Sequence, residues 1–192
     1  MMILFLIVVA AIVAWFISAY NGLVALRNQT WNALKQIDVQ LKRRHDLIPN
    51  LVQAVQGAMD FEKDTLSAVI NARNTAVKAA AGMDPSHVAA TAAAEAQLSG
   101  ALGRLLAVVE AYPDLKATAN VGQLQEELTS TENKVGFARQ LYNDTATTYN
   151  TKQQQFPTNL VTGFAKATPA ELWEIEDVAE RAVPKVEFRR NA

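Results

Sequence analysis

Cysteine is absent from the 192 residues. That excludes disulfides, thiol nucleophiles and cysteine metal sites, and it leaves the redox compartment open. An excess of basic charge is missing too, since 18 Lys and Arg balance 19 Asp and Glu. No cationic field exists to hold nucleic acid, and we expect no nucleic-acid partner. Only two histidines occur, His45 and His87, far apart and without HExxH spacing. No Gly-rich phosphate loop and no GxSxG nucleophile elbow is present. The usual routes to metal, thiol, nucleotide and serine chemistry are therefore closed. We expect no enzymatic activity, no catalytic residue, and no cofactor or metal.

Charge is also missing from the N-terminal segment, where the first charged side chain is Arg27. An uncharged run of 26 residues exceeds the roughly 20 needed to cross a bilayer core. A cleaved signal peptide would carry Lys or Arg ahead of its apolar run and a small-x-small site after it. Nothing basic precedes Ile3, and the run outlasts a typical signal core, so the expectation is an uncleaved transmembrane anchor over residues 1–26. Ile3, Leu4, Phe5, Leu6, Ile7, Val8, Val9, Ile12, Val13, Trp15, Phe16 and Ile17 would face lipid, with Trp15 and Tyr20 near the headgroups. The cations that follow, Arg27, Lys35, Lys42, Arg43 and Arg44, put the C-terminal domain in the cytoplasm by the positive-inside rule, with the N-terminus outside.

Beyond the anchor the pattern is helical. From Asn21 to about Ala81 a single long helix is expected. Leu34, Leu41, Ile48, Val55, Val69 and Ala76 form one heptad row, with Val52, Met59 and Leu66 on the partner row. Pro49 is expected to kink it. Gly82, Asp84 and Pro85 signal a turn, and a second helix follows from about Pro85 to Ala111. Its Ala-rich first half offers little side chain to pack, and Leu98, Leu102, Leu105 and Val109 line its second half. Tyr112-Pro113-Asp114 is the next turn. A third helix then carries Val121, Leu124, Leu128, Thr131, Val135, Ala138, Tyr142, Thr145, Tyr149 and Phe156 on heptad rows, roughly 60 Å of helix. Phe156-Pro157 ends it. Thr168-Pro169-Ala170-Glu171 has the form of a capping box, predicting a short fourth helix from Pro169 to about Ala182. The fold class expected is all-α. A transmembrane helix runs continuously into an elongated antiparallel bundle of three long helices and a short fourth, over 27–183. An extended tail at 184–192 completes the chain.

Polar residues interrupt the apolar rows. Glu62 falls on the first row, and Asp38, His45 and Arg73 fall on its partner, which fits a bundle interior holding satisfied polar groups. Glu62 and Arg73 are too far apart on one helix to meet. Each is expected to reach Glu132, Asn133 or Arg139 on a neighbour, in ion pairs that set register more than they stabilise. Lys42-Arg43-Arg44-His45 covers a full helical turn and reads as a solvated face pairing with Asp38 or Asp46. Tyr142-Asn143 and Tyr149-Asn150 repeat at seven residues. They are either core aromatics with hydroxyls at the bundle rim or a polar-aromatic ladder for contact between subunits.

The stretch YNGLVALRNQTWNALKQIDVQLKRRHDLIPNLV at Tyr20–Val52 is followed in order by LSAVINAR at Leu66–Arg73 and VVEAYPDLKA at Val108–Ala117. LQEELTSTENKVGFARQLYN at Leu124–Asn143, the second YN, FP at Phe156-Pro157 and PKVEF at Pro184–Phe188 complete the series. Together these resemble the LemA family of bacterial membrane proteins over nearly the whole chain. The resemblance implies a membrane-anchored bundle of long antiparallel helices in the bacterial inner (cytoplasmic) membrane, with no established catalytic residue set. Some members of that family are linked with membrane remodelling or sit beside membrane metalloproteases. The expected function is a non-enzymatic structural scaffold whose partners are the lipid membrane and further copies of itself. The alternative is an adaptor that recruits a membrane protease or a signalling protein.

Overall fold

The computed structural model describes residues 1–56, 62–112 and 119–174. Four helices account for most of them: α1 (Met2–Gln56), α2 (Lys63–Ala80), α3 (Ala89–Glu110) and α4 (Ala119–Gln154). No strand occurs among the described residues. The all-α class and the unbroken passage from apolar segment to bundle are as expected. α1 runs through Gly22 and through Pro49, which lies exposed within it, for about 80 Å.

The expected single helix from Asn21 to Ala81 is two helices. Glu62 has non-helical torsions (φ −101°, ψ 36°), and α2 folds back along α1, so that Arg73 lies beside His45. Reversal gives the second half of the heptad row something to cover it. Val69 and Ala76 are fully buried against the distal half of α1, together with Leu51 and Val55. A straight continuation would have carried those residues beyond the end of the bundle. Met59 lies outside the described residues. The architecture is accordingly two long helices, α1 and α4, with a shorter α2–α3 hairpin packed beside them, in place of three long helices.

α4 is antiparallel to α1. Ile48 and Leu51 share a core with Leu128, whereas Leu34 and Ile37, earlier on α1, share one with Val135, Tyr142 and Tyr149, later on α4. α3 runs antiparallel to α2, with the Thr91 hydroxyl on the Ala79 carbonyl. The distal core joins Ile48 and Leu51 of α1 with Leu66 of α2, Leu98 and Leu105 of α3, and Leu128 of α4. A middle core joins Leu34, Ile37 and Leu41 to Val135, Tyr142 and Tyr149. A third, small core of Ala19, Leu23, Val161 and Ala165 lies nearest the N-terminal end. Leu98, Leu102, Leu105 and Val109 are all buried. Phe156 departs from its heptad row and is 80% exposed, because α4 ends at Gln154 before it.

Two boundaries differ from the sequence expectation. Gly82 takes the left-handed conformation (φ 85°) after α2, as a helix-ending glycine does. Asp84, however, does not cap α3, which starts at Ala89 and not at Pro85. Its carboxylate accepts from the Ser86 backbone N–H at 2.7 Å and from the Ser86 hydroxyl, which holds its pKa below the usual value. The second difference lies in residues 167–174, where the capping box predicted the start of a helix. They are non-helical and form a strap laid across α4 and the start of α3. The rest of the expected fourth helix and the 184–192 tail lie outside the described residues.

Candidate functional site

Three regions of this fold hold the residues singled out from sequence. The first is the start of α1. Its most apolar 18-residue window has a mean hydropathy of 2.8, and none of it is buried inside the protein. Ile3, Leu4, Phe5, Leu6, Ile7, Val8, Val9, Ile12, Val13, Trp15 and Ile17 are exposed, and Phe16 alone of the set is half-buried. In water, an uncovered helix of this composition would be strongly unfavourable.

The second region is a buried polar cluster where α1, α3 and α4 meet. His45 and Arg44 are both buried, because position 44 turns toward α3 rather than toward solvent. The reading of Arg44 as part of a solvated face is therefore corrected, while Lys42 and Arg43 do stay exposed. Glu95 of α3 receives His45 Nε2 at 2.6 Å and Arg44 at 3.1 Å, one on each carboxylate oxygen. The other arm of the Arg44 fork donates to Ser99 Oγ at 2.8 Å and pairs with Glu132 at 2.7 Å. Arg73 of α2 donates Nε to the His45 carbonyl at 3.1 Å. All four helices are thereby tied to one another within a few ångströms. Every oxygen of Glu95 is engaged by a cationic or imidazole donor, so the group suits structure better than proton transfer. A cleft of about 330 Å³ opens beside Arg44, Ser99 and Glu132, with Leu102, Leu106 and Leu128 among its other lining residues.

Other expected partners do not meet. Glu62 receives Thr65 of its own turn at 3.5 Å. Arg73 goes to a backbone carbonyl and to Asn74, not to Glu132, Asn133 or Arg139. Asn133 is exposed on the rim of the cleft, and Arg139 is half-buried on α4. Asp38 is half-buried beside Ala80 and Met83, where α2 ends. Glu95 falls on the heptad row of Leu102 and Val109, as a buried polar residue in an apolar row, but it was not singled out from sequence. Among the described residues, no group of three or more His, Cys, Asp or Glu is placed to hold a metal.

The third region is the strap. Asn143 and Asn150, two helical turns apart on α4, each grip one strap residue through both backbone groups. Asn150 accepts the Ala170 N–H at 2.8 Å and donates to its carbonyl at 2.7 Å. Asn143 does the same with Trp173, at 2.8 and 3.1 Å. Tyr142 donates its hydroxyl to the Glu171 carbonyl at 2.7 Å, with the Pro85 carbonyl 3.2 Å away. Burial first, then the nearby Glu171 and Asp84 charges, push its pKa up. Tyr149 is buried with a hydroxyl that finds no hydrogen-bond partner among the described residues. Tyr142, Asn143 and Asn150 thus hold the chain's own strap, much as a peptide is held by side-chain amides. Glu171 in turn places Oε2 against the N–H groups of Val88 and Ala89, at 2.6 and 3.0 Å. It caps α3 from outside, where a carboxylate meets the positive end of the helix dipole.

The family model described as LemA family matches residues 33–188, which takes in α1 from residue 33 onward and all of α2, α3, α4 and the strap. The chain belongs to the LemA family. That match leaves out the apolar start of α1. The chain is 26% identical to the magnetosome protein MamQ 2 of Paramagnetospirillum magneticum, covering 87% of this chain and 70% of the relative. It is 24% identical to magnetosome protein MamQ of Magnetospirillum gryphiswaldense, covering 81% and 66%. Protein LemA of Metamycoplasma hominis is 28% identical over 76% of this chain and 64% of its own length. The LemA-type bundle therefore comes here with a helix long and apolar enough to cross a membrane.

Proposed function

We propose that this LemA-type protein is a non-enzymatic scaffold, anchored in the bacterial inner membrane by the start of α1, with its bundle on the cytoplasmic side. The observation that carries this reading is the continuity of α1. One unbroken helix is bare and apolar at its start and is the spine of a packed bundle thereafter. The bundle invests its buried polar groups in mutual fixation, as a rigid spacer would.

Self-association is the function such a spacer serves. Val39 of α1 and Phe137 of α4 are 62% and 73% exposed, and with Leu141 they line a groove of about 470 Å³ flanked by Lys35 and Lys134. Copies anchored in one bilayer share a common orientation, so a two-fold axis along the membrane normal brings this same face of two copies together. The patch lies midway along the paired helices, where both copies reach it. To test this, Phe137→Cys in the otherwise cysteine-free chain is oxidised in native membranes, and the detergent-extracted protein is weighed. A disulfide-linked dimer and an oligomeric mass are expected. A strictly monomeric species at micromolar concentration would sink the self-assembly reading. A single stoichiometric foreign protein crosslinked at this site would favour the adaptor instead. Met2→Cys and Asn74→Cys, probed with a membrane-impermeant reagent on intact cells, test orientation. Labelling at position 74 would reverse it.

A further inference from the structure

After α4 ends at Gln154, the chain forms a compact turn that includes a 3-10 helix (Thr158–Leu160) and packs against the apolar end of α1. Val161 and Ala165 are buried on Ala19 and Leu23, and the Phe164 ring meets Phe16 edge-on with centroids 5.4 Å apart. These partners all lie within the uncharged segment that precedes Arg27. The turn is therefore level with the span, not with the water-exposed bundle. Its own sequence from Gln155 to Ala165 contains no charged residue. Its large side chains point away from the protein: Phe156, Leu160 and Phe164 are 80%, 61% and 71% exposed. Three uncovered apolar side chains, spaced by four residues, would be a liability in water. Lys166 follows directly, exposed, and Arg27 donates to the Ala165 carbonyl at 3.3 Å, so cations sit where the apolar surface stops. Tyr20, four residues after Phe16 on α1, is exposed as well.

We propose that the turn at 156–166 is a second membrane-contacting element, which inserts Phe156, Leu160 and Phe164 into the boundary between acyl chains and headgroups beside the α1 span. The occupant of this apolar surface is lipid because the surface is continuous with the bare face of α1, and a helix of that length and composition is covered by lipid or by nothing. Depth is consistent. Phe16 lies four residues below Tyr20, about 6 Å along the helix, and interfacial elements bury their apolar faces by roughly 5–10 Å. Lys166 and Arg27 then meet the phosphates, as flanking cations do at a membrane surface. A second attachment point restrains rotation of the bundle about the α1 span, which the span alone does not.

This inference rests on the reading that the start of α1 spans the bilayer, and the test separates the two. Single cysteines, Val8→Cys, Leu160→Cys and Ser130→Cys, are introduced in the full chain, labelled with an environment-sensitive fluorophore, and reconstituted in phosphatidylcholine–phosphatidylglycerol vesicles. Lipids carrying a quencher at a shallow or a deep acyl position report depth. The expected result is deep quenching at position 8, shallow quenching at 160, and none at 130. Quenching at 8 with position 160 behaving like 130 would overturn the turn's role and leave the anchor standing. No quenching at 8 would overturn both. A label at 160 shielded from aqueous iodide yet untouched by either lipid quencher would mean that protein covers the turn, and would also overturn the proposal. Phe164→Cys repeats the measurement, so a local disturbance at one position cannot decide it.

Discussion

Removing Glu95 should be among the most damaging substitutions in the bundle. Its side chain is 7% exposed and those of its partners Arg44 and His45 are 5% and 6% exposed. Glu95→Ala strips a buried guanidinium of one counter-charge and a buried imidazole of its 2.6 Å partner. Breaking one side of a buried pair costs about 3–5 kcal/mol, because the other charge stays buried. Arg44 keeps Ser99 and Glu132, and Glu132 is itself 45% exposed and able to stay hydrated. The loss should therefore fall at the lower end, about 3 kcal/mol. For a chain of this size that is roughly 6–12 °C in Tm. The assay is thermal and guanidinium denaturation of the full-length protein in detergent micelles, followed by circular dichroism. Two controls define the reasoning. Replacing the group with apolar residues of similar volume, Arg44→Met with His45→Leu and Glu95→Leu, should recover most of the loss, since no charge remains to be buried. Removing the exposed Arg43–Glu127 pair, 3.9 Å apart and about half exposed on both sides, should change stability by less than about 1 kcal/mol. A Glu95→Ala loss below about 1 kcal/mol, or one that disappears in high salt, would refute the account, because buried pairs are screened little.

Asn150→Ala and Asn143→Ala should each cost about 1–3 kcal/mol for two lost hydrogen bonds, and limited proteolysis should then cut between residues 166 and 174 before it cuts the helices. Trp173 of the strap, 3% exposed in the middle core, should cost about 3–5 kcal/mol when truncated to Ala, with the same protease signature. Glu171→Ala removes the outside cap of α3 and should cost about 0.5–2 kcal/mol, visible as faster amide hydrogen exchange at Val88 and Ala89. Tyr142 has a raised pKa, so its contribution is fully present below the unfolded value near ~10 and is lost as pH rises beyond it. Tyr142→Phe should flatten that alkaline limb of a stability–pH profile, at the cost of its bond to Glu171.

The heptad rows carried most of what was legible. Leu34, Leu41, Ile48 and Val55 read as core and are core. The same rows hid the reversal between α1 and α2, because a hairpin that keeps heptad phase looks like one long helix. Glu62, the polar member of the first row, sits at the break, but Asp38, His45 and Arg73 interrupt the partner row where the helix continues. Arg44 looked solvated because its sequence neighbours are charged. What buries it is Glu95, 51 residues away, and nothing local announces a partner at that distance. Thr168-Pro169-Ala170-Glu171 is a real capping signal attached to the wrong helix. A carboxylate that satisfies the N-terminus of α3 from across the bundle has the same sequence neighbourhood as one that starts its own helix. The paired Asn143 and Asn150 showed periodicity, but not that their target would be an extended segment of the same chain.

An unbroken α1 also has a mechanical consequence. About 45 Å of it extends beyond residue 26, at 1.5 Å per residue. A spanning helix adjusts to bilayer thickness by tilting, commonly by about 20°. If a rigid rod passes through the hydrocarbon core, that tilt swings its far end sideways by about 15 Å. The end near Gln56 would then be the long arm of a lever whose short arm is the apolar start of α1. Thinning or thickening of the bilayer would then be magnified into lateral displacement at the distal core.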